Sequence, residues 1–242
     1  MTAHVSRAKP YKGWGMEGGL AKWYAGLTKK SLEDFKALAR RIAGQIPPGS
    51  SVLEVAPGPG YFAIELAKLG NCQITGLDIS ETFVEIARGN AAKENVRVDF
   101  RQGNASEMPF GDETFDFLLC RAAFKNFSEP HRALEEMHRV LKPGGNALII
   151  DLRRDAPVES INQAVNEMKV GTVNGIITKL TFRFMLLKRA YTKREIEELL
   201  ARTEFHGIEI QEDLIGLEIW LTKDHQAAWA GVKELGIEGG LM

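Results

Sequence analysis

Four residues pose the chemical question: Glu54, Gly58, Gly60 and Asp78. Three of them sit in the run Ser51-Val-Leu-Glu-Val-Ala56-Pro57-Gly58-Pro59-Gly60-Tyr61, which reads as a buried strand, a tight loop and the start of a helix. Glycines at 58 and 60 tolerate unusual dihedrals and allow backbone to approach a ligand closely. A helix opening near Gly60 would turn unpaired N–H groups and partial positive charge toward an anionic group. Two readings of the loop are open. Counted from Gly58, Gly-Pro-Gly-Tyr-Phe-Ala fits the G-x-G-x-x-G/A dinucleotide fingerprint, with Asp78 about 20 residues on as a ribose-binding acid. Counted from Glu54, an acid closes the strand, and the small residues Ala56, Gly58 and Gly60 follow at alternate positions. The loop announces a ligand, and the rest of the chain must say which.

The elements around the loop alternate. Leu32, Phe35, Leu38, Ala39 and Ile42 recur at helical spacing after a capping-box pattern at Ser31–Asp34. Residues before that helix read as irregular and aromatic. After the loop come a helix from Tyr61 to Leu69, a strand from Cys72 to Leu77 ending on Asp78, and a helix capped by Ser80. Val96 to Phe100, Thr114 to Cys120 and Ala147 to Asp151 read as further strands, with a helix through Val140 and a sharp Lys142–Gly145 turn before the last. Such alternation implies a parallel sheet with helices on both faces. Residues 152–190 interrupt the rhythm and read as an inserted helical cap. Thr192–Glu195 starts another capped helix, and Ile208–Ile210 and Leu217–Leu221 are strands joined too briefly to be parallel. The whole chain, 1–242, reads as one domain, with residues 1–30 as an N-terminal arm.

Composition narrows the class further. At 44% hydrophobic and 26% charged, 242 residues can bury a full core. No apolar run is long enough to span a membrane, so no membrane partner is expected, and the apparent lack of a secretory leader points to the cytoplasm. Cys72 and Cys120 read as buried strand residues, and no metal cluster is expected. The net charge of −1 argues against a general nucleic-acid binder. Its distribution is uneven. Residues 1–50 carry nine basic and three acidic side chains, and residues 152–195 carry nine and four. Such segments on an acidic core could steer an anionic small molecule, and solvated helix faces account for them equally well.

Five stretches in order resemble the class I S-adenosylmethionine-dependent methyltransferases, closest to the type 11 small-molecule branch. They are Glu54–Gly60, Gly76–Ser80, Gly103–Phe110, Thr114–Asp116 and Arg139–Gly145, and the antiparallel chain end agrees. The resemblance implies an α/β fold: a Rossmann-like, doubly wound, seven-stranded sheet with an antiparallel C-terminal hairpin and a helical cap. It implies S-adenosyl-L-methionine as cofactor, with Glu54, Ala56, Pro57, Gly58 and Gly60 at the loop. Asp78 and Ile79 would meet the ribose, Asn104 and Ala105 the adenine, and Tyr24 would fold over the methionine end, with Cys120 a further cofactor contact. Arg121, where a small residue is usual, could meet the methionine carboxylate or an acidic group on the acceptor. Ala56 departs from the usual glycine, Asn104 from the usual aspartate, and Lys125-Asn126 stands where a histidine pair is common. Arg121 could instead pair with Glu54 or Asp78. Tyr11, Trp14, Phe124 and Lys125 are candidate acceptor contacts, and no general base is advertised. The expected activity is methyl transfer to a small, partly aromatic, anionic acceptor under a lid made by residues 1–30 and 152–190. A protein or RNA methyltransferase, or a S-adenosylmethionine-binding protein without transferase activity, are the alternatives.

Overall fold

The computed structural model describes residues 11–12, 15–167 and 187–224. Five parallel strands form first: β1 (Ser51–Val55), β2 (Gln73–Asp78), β3 (Asp99–Gln102), β4 (Phe115–Arg121) and β5 (Leu141–Leu152). The hairpin of β6 (Gly207–Glu212) and β7 (Gly216–Thr222) completes a seven-stranded sheet in the order β3-β2-β1-β4-β5-β7-β6. Strand β7 runs antiparallel to β5 and to β6, the latter as the short link before Gly216 requires.

Alternate strand residues feed two cores. Val52, Phe117, Leu119, Leu148 and Trp220 pack beneath α2 (Leu32–Ala43), α3 (Tyr61–Lys68) and α4 (Glu81–Lys93). Leu53, Val55, Leu118, Cys120, Ile149 and Ile219 pack on the other face against α5 (Pro130–Val140) and α7 (Lys193–Leu200). This two-sided burial is why β4 reads as nearly continuous apolar sequence. Between these helices in chain order lies α6 (Val158–Glu167), the described helix of the expected 152–190 cap; residues 168–186 lie outside the described residues.

Three local expectations change. Residues before Ser31 are not all irregular: α1 (Gly18–Thr28) is helical, its buried face supplied by Ala21 and Ala25, whose small side chains gave little periodic signal. The Ser31 box does not form, because a 3-10 turn, Lys29–Ser31, joins α1 to α2 and holds Ser31 at ψ 24 with no side-chain cap bond. The Lys142–Gly145 turn lies within β5 as a looped-out irregularity: Leu141 pairs with Phe115 and Asn146 already with Phe117. The caps at Ser80, accepting from the Phe83 amide, and at Thr192, with Glu195 closing the box, form as their residue types direct.

Candidate functional site

The loop between β1 and α3 is held by backbone that glycine favours. Ala56, Gly58 and Gly60 all have positive φ, at 56°, 55° and 78°. At Ala56 the left-handed conformation costs a side-chain-bearing residue about 1–2 kcal/mol. The two glycines do different work. A Cβ on Gly60 would sit 2.6 Å from the Phe100 ring and 2.9 Å from the Ala87 methyl, so its absence makes room for packing under the loop. A Cβ on Gly58 would meet no described atom within 4 Å, although the residue is buried. The space above the loop opens at Gly58. Pro57 is buried beneath, its ring against the position a Gly76 Cβ would take.

Asp78, at the end of β2, ties the loop to the sheet. Its Oδ2 accepts from the Gly58 amide at 2.9 Å and its Oδ1 from the Ser80 amide at 2.9 Å. Burial pushes its pKa up to about 6, against the pull of the Ser80 and Gly58 amides. Glu54 is buried at the end of β1 and accepts from the Ala63 amide at 3.1 Å, in the first turn of α3. Burial raises its pKa to about 8, opposed by that amide and by Arg121. Arg121 stacks over the Phe35 ring at 4.6 Å and lies in the fields of Tyr24, Asp34 and Glu54. Of its two expected acidic neighbours, Glu54 feels it and Asp78 is governed by other groups.

The remaining cofactor candidates border this corner. The Ile79 carbonyl accepts from the Gln102 side chain. The Asn104 side-chain oxygen accepts from the Ser106 amide at 3.0 Å, which directs it into its own turn, and Ala105 is buried beside it. Cys120 is fully buried, and burial raises its thiol well above the usual range. Tyr24, on α1, meets the Phe83 ring edge-on at 6.0 Å.

An arm closes over the strand ends. Tyr11 bridges to Phe127, and the Lys12 amide donates to the Asn126 carbonyl at 2.7 Å. Burial pushes the Tyr11 hydroxyl up to about 12, with Arg189 opposing and Tyr24, Asp78 and Asp151 adding to the rise. Lys12 Nζ donates to the Tyr191 hydroxyl at 2.7 Å, and Ser80 Oγ donates to the Met16 carbonyl at 2.5 Å. Of the other acceptor candidates, Phe124 is core, packed against Phe127 and Tyr191. Lys125 is buried, its Nζ 2.7 Å from Asp151 and 2.6 Å from the Ala122 carbonyl. Trp14 lies outside the described residues.

Sequence reasoning missed Asp151, Tyr191 and the Met16–Glu17 contact with α4. Asp151 was findable, since it ends β5 as Asp78 ends β2; the other two depend on tertiary closure. Two surface clefts of about 330 and 290 Å³ lie away from this corner. One is lined by Ser51, Gln73 and Phe115 at strand starts, the other by Arg139, Arg202 and Lys223. Neither touches the loop.

Sheet order, the strand–loop–helix and the buried acid at the end of β2 together define a class I S-adenosylmethionine-dependent methyltransferase fold. Residues 53–149 match the family described as a methyltransferase domain. Over 151 residues the chain is 30% identical to a demethylmenaquinone methyltransferase from Chlorobaculum parvum, covering 62% of this chain and 60% of that protein. The match thus spans less than two thirds of that relative. A candidate S-adenosylmethionine-dependent methyltransferase solved from Methanococcus maripaludis superposes with a TM-score of 0.71 over 90% of this chain and 98% of its own, at 22% identity, which speaks to fold. The [4+2]-cyclase SpnF aligns with a TM-score of 0.54 at 27% identity, over 73% of this chain and 59% of its own.

The class implies S-adenosylmethionine as cofactor, and the residues fit it. Gly58 faces open space from a buried position. Asp78 receives the amides of Ser80, Gly58 and Ile79, whereas a carboxylate has about four acceptor positions, so capacity remains for a hydroxyl donor. Glu54 is a buried acid held against the first turn of α3 by the Ala63 amide.

Proposed function

We propose that this chain transfers the S-adenosylmethionine methyl group to a small, partly aromatic acceptor. The observation that carries the reading is the Gly58–Asp78 pairing: a buried carboxylate with spare acceptor capacity, beside a glycine that opens onto space. The bound cofactor supplies an activated methyl with its leaving group already attached. The protein's share is alignment, which is worth on the order of 7–11 kcal/mol in well-oriented systems. Asp78 would hold the ribose hydroxyls, with Ile79 and the Asn104–Ala105 turn beside the base. Glu54, Cys120, Arg121 and Tyr24 would enclose the methionine end, over the Ala56–Gly60 loop. Tyr11 and Tyr191 would wall the acceptor space, with Lys12 and Arg189 as its cations, because Asp151 already neutralises Lys125. The name of the Chlorobaculum relative supports a quinone-like ring as the acceptor class.

The similarity to a [4+2]-cyclase favours one second reading, in which the same fold binds the cofactor and catalyses without methyl transfer. Two measurements test both. Calorimetry with S-adenosylhomocysteine should give binding that Asp78→Ala weakens by about 1.5–3 kcal/mol, the loss of hydrogen bonds to a charged group. Radiolabelled S-adenosylmethionine offered with naphthoquinol and phenol acceptors, and separately with protein and RNA pools, should label a small molecule. Binding without labelled product in any pool supports the second reading, and no binding of either adenosyl ligand overturns both.

A further inference from the structure

Helix α1 leaves an apolar ridge uncovered. Ala21 and Ala25 are its buried face, while Leu20, Trp23 and Leu27 are 40%, 63% and 46% exposed. Their spacing of three and four residues puts them on one stripe of the helix. The rest of the outward surface is basic: Lys22, Lys29 and Lys30 are exposed, and residues 18–32 contain no acidic residue. Lys29 has Glu94 in its field, so Lys22 and Lys30 are the less compensated pair. Inward, the same helix is anchored over the site, where the Tyr61 hydroxyl donates to the Ala25 carbonyl at 2.9 Å and Tyr24 packs on Phe83.

We propose that α1 rests on an anionic bilayer surface, with Leu20, Trp23 and Leu27 among the headgroups and Lys22 and Lys30 facing lipid phosphates. A short helix with leucines and a tryptophan on one side and lysines beside them is the composition that lies in the interface plane. Lysine stems lend their own apolar length to such contact. A second copy of this chain fits less well. Three side chains offer on the order of a few hundred Å², whereas a stable protein interface buries about 1,200–2,000 Å² in total. The basic flank would also face itself across a two-fold axis. Among the described residues no helix is long and apolar enough to cross a membrane. The sequence-based expectation of no membrane partner rested on the lack of a span, and surface contact needs none. The proposal goes beyond methyl transfer and would put the mouth of the site at the lipid boundary.

The test is flotation of the full chain with vesicles of phosphatidylglycerol and phosphatidylcholine, against vesicles of phosphatidylcholine alone. Binding should require the anionic lipid and weaken as salt rises. L20S/W23S/L27S and, separately, K22E/K30E should each lower partitioning roughly tenfold or more, with thermal melts and S-adenosylhomocysteine affinity unchanged. Absence of binding to the anionic vesicles overturns the proposal, as does binding that survives the triple serine variant. So does sedimentation showing that the triple variant only dissociates a dimer. None of these outcomes bears on the cofactor reading, which the calorimetry tests separately.

Discussion

Glu54 shows how a single residue's surroundings set its chemistry. It is buried with an amide partner and with Arg121 only in its field, so its carboxyl titrates near 8 where 4.5 is ordinary. The folded chain therefore keeps a proton that the unfolded chain has lost above 4.5. By linkage, stability falls as pH rises from about 4.5 through 8 and levels off beyond. Asp78, raised to about 6, bends the curve the same way over a lower window. Urea unfolding at pH 5.5 and pH 8.5 should show the wild type weaker at the higher pH, by on the order of a few kcal/mol. Glu54→Gln should lose most of that slope and be the more stable protein at pH 8.5. Equal slopes in the two proteins would mean that Glu54 is ionised when folded.

At the scale of elements, the loop between β1 and α3 shows what sequence can and cannot disclose. The strand–loop–helix order, the acids closing β1 and β2, and the antiparallel end were legible because each rests on local spacing. The separate jobs of Gly58 and Gly60 were not, because they depend on Phe100, forty residues on, and on α4. Helix α1 was missed for a related reason: its buried face is two alanines, and five of its eleven residues are glycine or alanine, which give little periodic contrast. The fate of Lys125 was hidden too, since its partner Asp151 lies on β5, 26 residues away in sequence. The two glycines yield a paired prediction. Gly60→Ala should cost about 2–5 kcal/mol, combining left-handed strain with overpacking against Phe100. Gly58→Ala should cost only the strain, about 1–2 kcal/mol, yet lower S-adenosylhomocysteine affinity more than Gly60→Ala does when both are compared as folded protein. Denaturant melts and calorimetry check the two halves. A reversed order in affinity would place the ligand away from Gly58.

Over the whole molecule, the described segments close on themselves at the strand ends. Met16 is joined to Ser80 and Glu17 to Thr82 at the start of α4, and Lys12 to Tyr191, so chain from before the first strand bonds both α4 and chain that follows the cap. Gly58 and Asp78 are buried beneath this closure. Among the described residues these contacts lie between the chain before β1 and the elements around the loop, so their opening and closing would gate passage of a cofactor the size of S-adenosylmethionine. The Lys12–Tyr191 bond is the one that can be removed with little else changed, because Tyr191→Phe keeps the ring against Phe124 and deletes only the hydroxyl. A hydrogen bond to a charged group is worth about 1.5–3 kcal/mol, and half-exposure of Lys12 brings this toward the lower end. Tyr191→Phe should therefore speed S-adenosylhomocysteine dissociation roughly tenfold, measured by stopped-flow displacement. The association rate should rise or stay level, because the open form becomes more populated while the loop, Asp78 and Glu54 are untouched. A dissociation rate equal to wild type would show that the latch is not what retains the ligand, and that release proceeds by another route along the sheet edge.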